Sequence, residues 1–133
     1  MPIAFVGDLD PPSIIQYLAT RDRLVPTRRS RLLFGGVDST WLEDVEAALR
    51  PELALDRVCT PLSRAEKRLL RLLEDSLDLD SLVGSRAAAM LRSGVKLEIE
   101  GATNPQLFQD PRTPWVFRRL RDRMKETRAR KRP

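Results

Sequence analysis

Histidine is absent from the 133 residues, and cysteine occurs once, as Cys59. The first absence removes the commonest metal ligand and the commonest general base near neutral pH. Zinc fingers, Ser-His-Asp and Cys-His hydrolases and histidine-ligated haem are thereby excluded. The second absence rules out an intrachain disulfide and makes an intracellular compartment the expectation, cytoplasmic or, in a eukaryotic host, nuclear. A chain of this length buries roughly two-thirds of its unfolded surface, so it folds without metal or crosslink.

Other features are also missing. No run of about 18 apolar residues exists, so no membrane span is expected. Met1–Asp8 has no basic stretch and only four consecutive apolar residues, so it does not read as a signal peptide. Gly35-Gly36 is not followed by Gly-Lys-Ser/Thr, so there is no phosphate-binding glycine loop. Aromatic residues make up 5%. Of the 24 basic residues only Lys67, Lys96, Lys125 and Lys131 are lysine. This arginine bias, with a single asparagine, is what a GC-rich gene produces. Arginine also suits bidentate phosphate contacts better than lysine.

Charge is present, and it is unevenly placed. Residues 111–133 hold ten basic and two acidic residues, a net +8, whereas residues 1–110 hold 14 basic and 17 acidic, a net −3. A basic end on a mildly acidic body implies an anionic partner for that end, nucleic acid before membrane surface. The division expected is a single compact domain over 1–111 and a basic C-terminal helix and tail over 112–133.

The ten prolines leave one long proline-free block, 62–104, where the core is expected. Ile3–Val6 reads as a strand. Asp10-Pro11 starts a helix that fades by Arg21–Arg23, with Asp10 as cap and Pro11 at the first position. Leu24–Gly36 reads as extended chain with a turn at 26–29 and a strand over Leu32–Phe34. Thr40 and Glu43 form a capping box for a helix stopped by Pro51. Leu53, Leu55 and Val58 suit a strand or an irregular link.

The clearest helix starts at Thr60-Pro61 or at Ser63, with Ser63 and Glu66 as a second capping box. Leu62, Ala65, Leu69, Leu72, Leu73 and Leu77 would form its inner face. Asp80 caps the next helix, whose inner residues are Leu82, Val83, Ala87, Met90 and Leu91 and which ends at Gly94. Val95–Glu100 alternates as a half-exposed strand. A turn of helix is expected at 105–109. A last helix begins at Pro114, with Val116, Phe117, Leu120 and Met124 on one stripe. The fold class expected is α+β and mainly helical: about four helices with a few short strands near 3–6, 31–34 and 95–100.

Three features carry chemistry. The first is the C-terminal helix and tail, where Arg118, Arg119, Arg121, Arg123, Lys125, Arg128, Arg130, Lys131 and Arg132 surround a narrow apolar stripe. Such a helix docks on one face and offers the rest to phosphates. Trp115 and Phe117 either stack on bases or fill the core. The second is the basic turn Arg28, Arg29 and Arg31, which grips a nucleic-acid backbone or is simply solvated.

The third feature is a charge order opposite to what the helix dipole favours. Arg64, Lys67, Arg68 and Arg71 crowd the first half of helix 62–77, and Glu74, Asp75, Asp78 and Asp80 follow at its end. An Arg71–Asp75 pair relieves part of the cost. The acidic run Glu74, Asp75, Asp78 and Asp80 is a candidate partner-binding segment, for the basic tail or for a basic protein.

Metal and enzyme readings find little. Asp78-x-Asp80 opens like a calcium loop, but Val83 stands where glycine is needed and Ala89 where glutamate is needed. Asp8, Asp10, Asp38, Glu98 and Glu100 lie near strand ends or strands, yet Lys96 precedes Glu98 and Glu100, the reverse of a nuclease strand. No catalytic residue, metal or cofactor is assigned.

Thr60–Leu70 resembles the opening helix of some helix-turn-helix regulators over about a dozen residues, with Ser81–Arg92 as second helix and Val95–Glu100 as wing. That second helix carries only Arg86 and Arg92. The functional expectation is a small non-enzymatic nucleic-acid-binding accessory protein, with RNA or DNA as partner. The alternative is a protein-interaction module that regulates or inhibits a larger complex through the acidic 74–80 segment or an apolar surface. A compact viral or phage gene suits either.

Overall fold

The computed structural model describes residues 3–29, 31–35, 38–99, 105–107, 109 and 125. They form an α+β, mainly helical fold, as expected. Strand β1 (Ile3–Phe5) leads into helix α1 (Pro11–Arg23), a single turn α2 (Pro26–Arg29) and strand β2 (Leu32–Phe34). β1 and β2 pair in parallel, Ile3 opposite Leu32 and Phe5 opposite Phe34. Parallel strands need a long crossover, and α1 with α2 supplies it. Three rings lock this unit: Tyr17 meets Phe5 at 5.8 Å and Phe34 at 5.5 Å, both edge-on. The Tyr17 hydroxyl donates to the Leu32 carbonyl (3.1 Å), and burial pushes its pKa up against the opposing effect of Arg21.

Asp10 caps α1 as its sequence implies, accepting from the Ser13 amide at 2.7 Å. The turn expected at 26–29 is a helical one, because Pro26 at the first position presets φ for helix. Helix α3 (Ser39–Ala48) is capped differently from expectation. Asp38, not Thr40, is the cap and accepts from the Trp41 amide at 3.1 Å. A carboxylate at the positive helix end outcompetes the hydroxyl two residues on. Trp41, Leu42 and Val45 form the buried face of α3. Leu55–Val58 is a 3₁₀ turn, which resolves the ambiguous link at 53–58.

Short strand β3 (Thr60–Pro61) precedes helix α4 (Arg64–Ser76). The Ser63–Glu66 capping box closes in both directions, at 3.1 and 3.0 Å. The inner face of α4 is the expected one in part: Leu62 and Leu73 are buried and Leu69 and Leu77 half-buried, but Leu70 replaces Ala65 and Leu72. Leu70 and Leu73 are buried, while Leu72 is 62% exposed and Ala65 lies outside. Leu62 is buried but precedes the cap, so it does not set the helical phase.

The next helix is two. Asp78 rather than Asp80 caps α5 (Leu79–Val83), because Asp78 accepts from both the amide and the hydroxyl of Ser81. Gly84 (φ 87°) then breaks the chain before α6 (Ser85–Arg92). The break has a tertiary cause. The Ser39 hydroxyl, from the start of α3, donates to the Val83 carbonyl and accepts from the Ala87 amide, both at 2.9 Å. It caps α6 in place of the side chain that glycine lacks. A Cβ on Gly84 would lie 2.2 Å from that hydroxyl.

Gly94 (φ 93°) ends α6 as expected. Strand β4 is only Val95–Lys96, antiparallel to β3. The expected strand to residue 100 stops early because Leu97 exchanges both backbone bonds with Leu9 (2.9 and 3.2 Å) and the Ile99 amide turns to the Asp8 carboxylate (2.7 Å). This stitch ties the β1–β2 unit to the second half. A 3₁₀ turn, Pro105–Leu107, matches the turn expected there. One core spans both halves, from Leu9, Ile14 and Trp41 to Leu73, Leu91 and Leu97. It is not confined to 62–104, because the amphipathic faces of α1 and α3 close it from the other side.

Candidate nucleic-acid interface

Helix α4 turns about 100° per residue, so positions i, i+3, i+4 and i+7 share a face. Arg64, Lys67, Arg68 and Arg71 have that spacing, and all four are exposed, opposite the buried Leu70 and Leu73. Among the described residues none of the four lies within 4.0 Å of a carboxylate. The expected Arg71–Asp75 pair does not form. The four side chains frame a shallow depression of about 520 Å³. A second, of about 390 Å³, lies beside it between Lys67, Leu70, Arg71 and Glu74 of α4 and the end of α6 from Leu91 to Gly94, with the Glu74–Arg92 pair on its wall. The result is a fixed row of cations with open space along it.

The row is held from below. Glu66, one turn in, is bound by the Ser63 amide and by both of its oxygens to Lys96 Nζ at 3.1 Å. Partial burial works to raise the Glu66 pKa, but the Ser63 and Lys96 hydrogen bonds outweigh it and hold the carboxyl below its ordinary value. The Glu66 hydrogen bond, ahead of the opposing desolvation, raises Lys96, with Glu98 (3.8 Å) and Asp10 adding to it.

The acidic end of α4 is organised differently. Arg92, at the end of α6, pairs with Glu74 and, at 2.8 Å, with Asp80. The Arg92 hydrogen bond pulls Asp80 below the ordinary carboxylate range, and Asp80 with Glu74 raises Arg92. Asp78 caps α5. Of the four acidic residues singled out as a partner-binding segment, three are thus engaged within the fold. Asp75 alone is exposed with no partner among the described residues.

The basic turn also divides. Arg29 donates to the carbonyls of Leu24 (2.9 Å) and Asp22 (3.3 Å), closing the end of α1. Arg28 and Arg31 are exposed and make no side-chain bond among the described residues. Lys125 is helical and exposed. Arg118, Arg119, Arg121, Arg123, Arg128, Arg130, Lys131 and Arg132 lie outside the described residues, as do Trp115, Phe117 and the whole tail apart from Lys125.

The carboxylates weighed for enzyme chemistry have structural partners. Asp8 binds the Ile99 amide, Asp10 and Asp38 cap helices, and Glu98 sits by Lys96. Glu100 lies outside the described residues. No group of three or more Cys, Asp or Glu able to hold a metal occurs among the described residues. The Cys59 thiol donates to the Leu55 carbonyl (3.4 Å), and burial followed by Asp56 pushes its pKa up, away from a reactive thiolate. No described helix is long and apolar enough to cross a membrane.

No family model matches the chain, and neither the curated proteins nor the solved structures give a significant match. The α4 row is a surface that the sequence pattern alone does not single out as a site. Its signal was visible, since the helical spacing of charge at 64, 67, 68 and 71 is as regular as any apolar stripe. In the sequence the same spacing stands out first as a cost against the helix dipole.

Proposed function

We propose that this chain is a small, intracellular, non-enzymatic accessory protein that binds nucleic acid through its phosphates. The observation that carries this reading is the row Arg64, Lys67, Arg68 and Arg71: four exposed cations on one rigid helical face, none matched by a carboxylate among the described residues. Unmatched cations in open solvent supply little to stability, and they suit a polyanion that releases counterions on contact. Arg28 and Arg31, and the arginine-rich segment 112–133 with its net +8, add to the same chemistry. Phosphate contacts position a ligand without reading bases, so weak sequence preference is expected.

The test is a titration of the full chain against labelled duplex and single-stranded DNA and RNA between about 50 and 200 mM salt. Binding that weakens at least 10-fold across that range is expected. Absence of binding, or binding indifferent to salt, overturns the reading.

A further inference from the structure

Beyond that reading, we infer that the flank of α4 centred on Leu72 docks a second copy of this chain, antiparallel and around a two-fold axis near Leu72. On a helix that turns about 100° per residue, Ala65, Arg68, Leu72, Asp75 and Ser76 fall within about 50° of one line. All five are exposed, and Leu72, at 62%, is the most exposed of the large apolar residues described. Positions 65, 68, 72 and 75 alternate in steps of three and four, the spacing of a seam between paired helices. The depression that α4 shares with α6 lies along its other flank, through Leu70 and Glu74.

The strip is complementary to itself. Among the described residues neither Arg68 nor Asp75 has a partner of opposite charge. A parallel pair of strips would set Arg68 on Arg68 and Asp75 on Asp75. An antiparallel pair about Leu72 brings Arg68 of each copy level with the other's Asp75 to within one residue, a rise of about 1.5 Å. A two-fold axis across the helices keeps like flanks on the same side, so each Arg68 meets Asp75 along one edge of the seam. One unmatched cation and one unmatched anion per chain then become two ion pairs beside a Leu72–Leu72 contact. Charges placed at the edge of such a seam set both partner and orientation.

Little stands in the way of close approach. Ala65 is small, and the Ser76 hydroxyl turns back onto the Leu72 carbonyl of its own helix at 2.8 Å. Helix α4 has 13 residues and is about 20 Å long, so the interface is small and the dimer weak, with a Kd on the order of 100 µM. The row gives up only Arg68 to the seam. Arg64 and Arg71 of both copies stay open on one side of the pair, so dimerisation and phosphate contact are compatible.

The experiment is sedimentation equilibrium on the full chain, free of nucleic acid and at low salt, from micromolar concentration to about 1 mM. A reversible dimer is expected. Leu72→Gln should weaken it about 10-fold by removing the apolar contact. Arg68→Asp alone and Asp75→Arg alone should each weaken it about 10-fold or more, since each sets like charges together twice. An equimolar mixture of the Arg68→Asp and Asp75→Arg chains should associate as tightly as wild type, because every mixed pair restores opposite charges at both contacts. That recovery needs two folded partners, so it separates a lost contact from a lost fold, and Leu72→Gln tests the seam without touching a charge. A wild type that stays monomeric, a dimer indifferent to all three substitutions, or a mixture that fails to recover overturns the proposal. Salt-dependent DNA binding by a monomeric wild type leaves the nucleic-acid reading standing. Loss of DNA affinity on Leu72→Gln in a chain that never dimerises gives this face to nucleic acid instead.

Discussion

Two sets of arginines do opposite things here. Arg29, Arg86 and Arg92 are bound to the protein's own acceptors: the last carbonyls of α1, Glu46, and Glu74 with Asp80. Arg64, Arg68 and Arg71 are bound to nothing among the described residues. The residue type is the same, and the exposure is similar. The difference is where the acceptors lie. Arg29 sits by orphan carbonyls at a helix C-terminus, where a cation is favoured. The α4 cations sit in the first half of the helix, and Arg64 stands in the first turn, where the dipole disfavours positive charge. Cations that earn nothing from the fold in that position point to an external anion.

The largest effect that would sharpen this contrast comes from replacing the α4 row with glutamine. Duplex affinity near 0.2 M salt is expected to fall on the order of 100-fold. The melting temperature should stay level or rise slightly, because none of the four has a carboxylate partner among the described residues and removing Arg64 from the first turn relieves about 0.3 kcal/mol. Anisotropy and circular dichroism melts check the two halves, and a clear drop in melting would place the row among the fold-bearing arginines.

Ser63→Ala removes one half of the capping box and is expected to cost about 1 kcal/mol in urea denaturation. Its effect on binding should be small, since Glu66 stays fixed by Lys96.

The Glu66–Lys96 pair makes a prediction in pH. Glu66 has a folded pKa below its ordinary 4.5, so its contribution is present above that value and is lost as pH falls through the folded pKa. Lys96 has a folded pKa above 10.5, so its contribution is present below that value and is lost as pH rises through the folded pKa. The denaturation midpoint of wild type should therefore exceed that of Glu66→Gln between these limits and converge with it at acid pH. A constant difference down to pH 2 would break the assignment.

The smallest effects come from the bound arginines. Arg29→Gln should cost about 0.5 kcal/mol through the lost carbonyl contacts. Arg92→Gln should lower the melting temperature by separating α4 from α5 and α6. Neither should change the salt slope by as much as one contact. A larger change would erase the distinction between the two sets.

Much of the fold was legible because its causes are local. The Asp10 and Ser63 caps, the Pro11 start and the Gly94 stop each depend on atoms within a few residues. Where local rules offered two caps, the nearest pattern misled: Thr40 yielded to Asp38, and Asp80 to Asp78. On α4, Ala65 and Leu72 lie about 80–100° to one side of Leu73 and are exposed, whereas Leu70 lies about 60° to the other side and is buried, so only the packing decides which flank of the Leu69–Leu73 line turns inward. The site was legible only in part. The spacing of Arg64, Lys67, Arg68 and Arg71 fixes a shared face, but not whether carboxylates from elsewhere cover it.

The sequence alone determined the absence of histidine chemistry, the separation of a −3 body from a +8 end, and the charge order along α4. Those follow from composition and helical period. The tertiary structure decided which charges are free. Arg92 lies 18 residues from Glu74 and 12 from Asp80, and Ser39 lies 48 from Ala87. Contacts over such distances exist only once the core has formed, because packing brings α3, α4, α5 and α6 together and sets which acceptor each side chain meets.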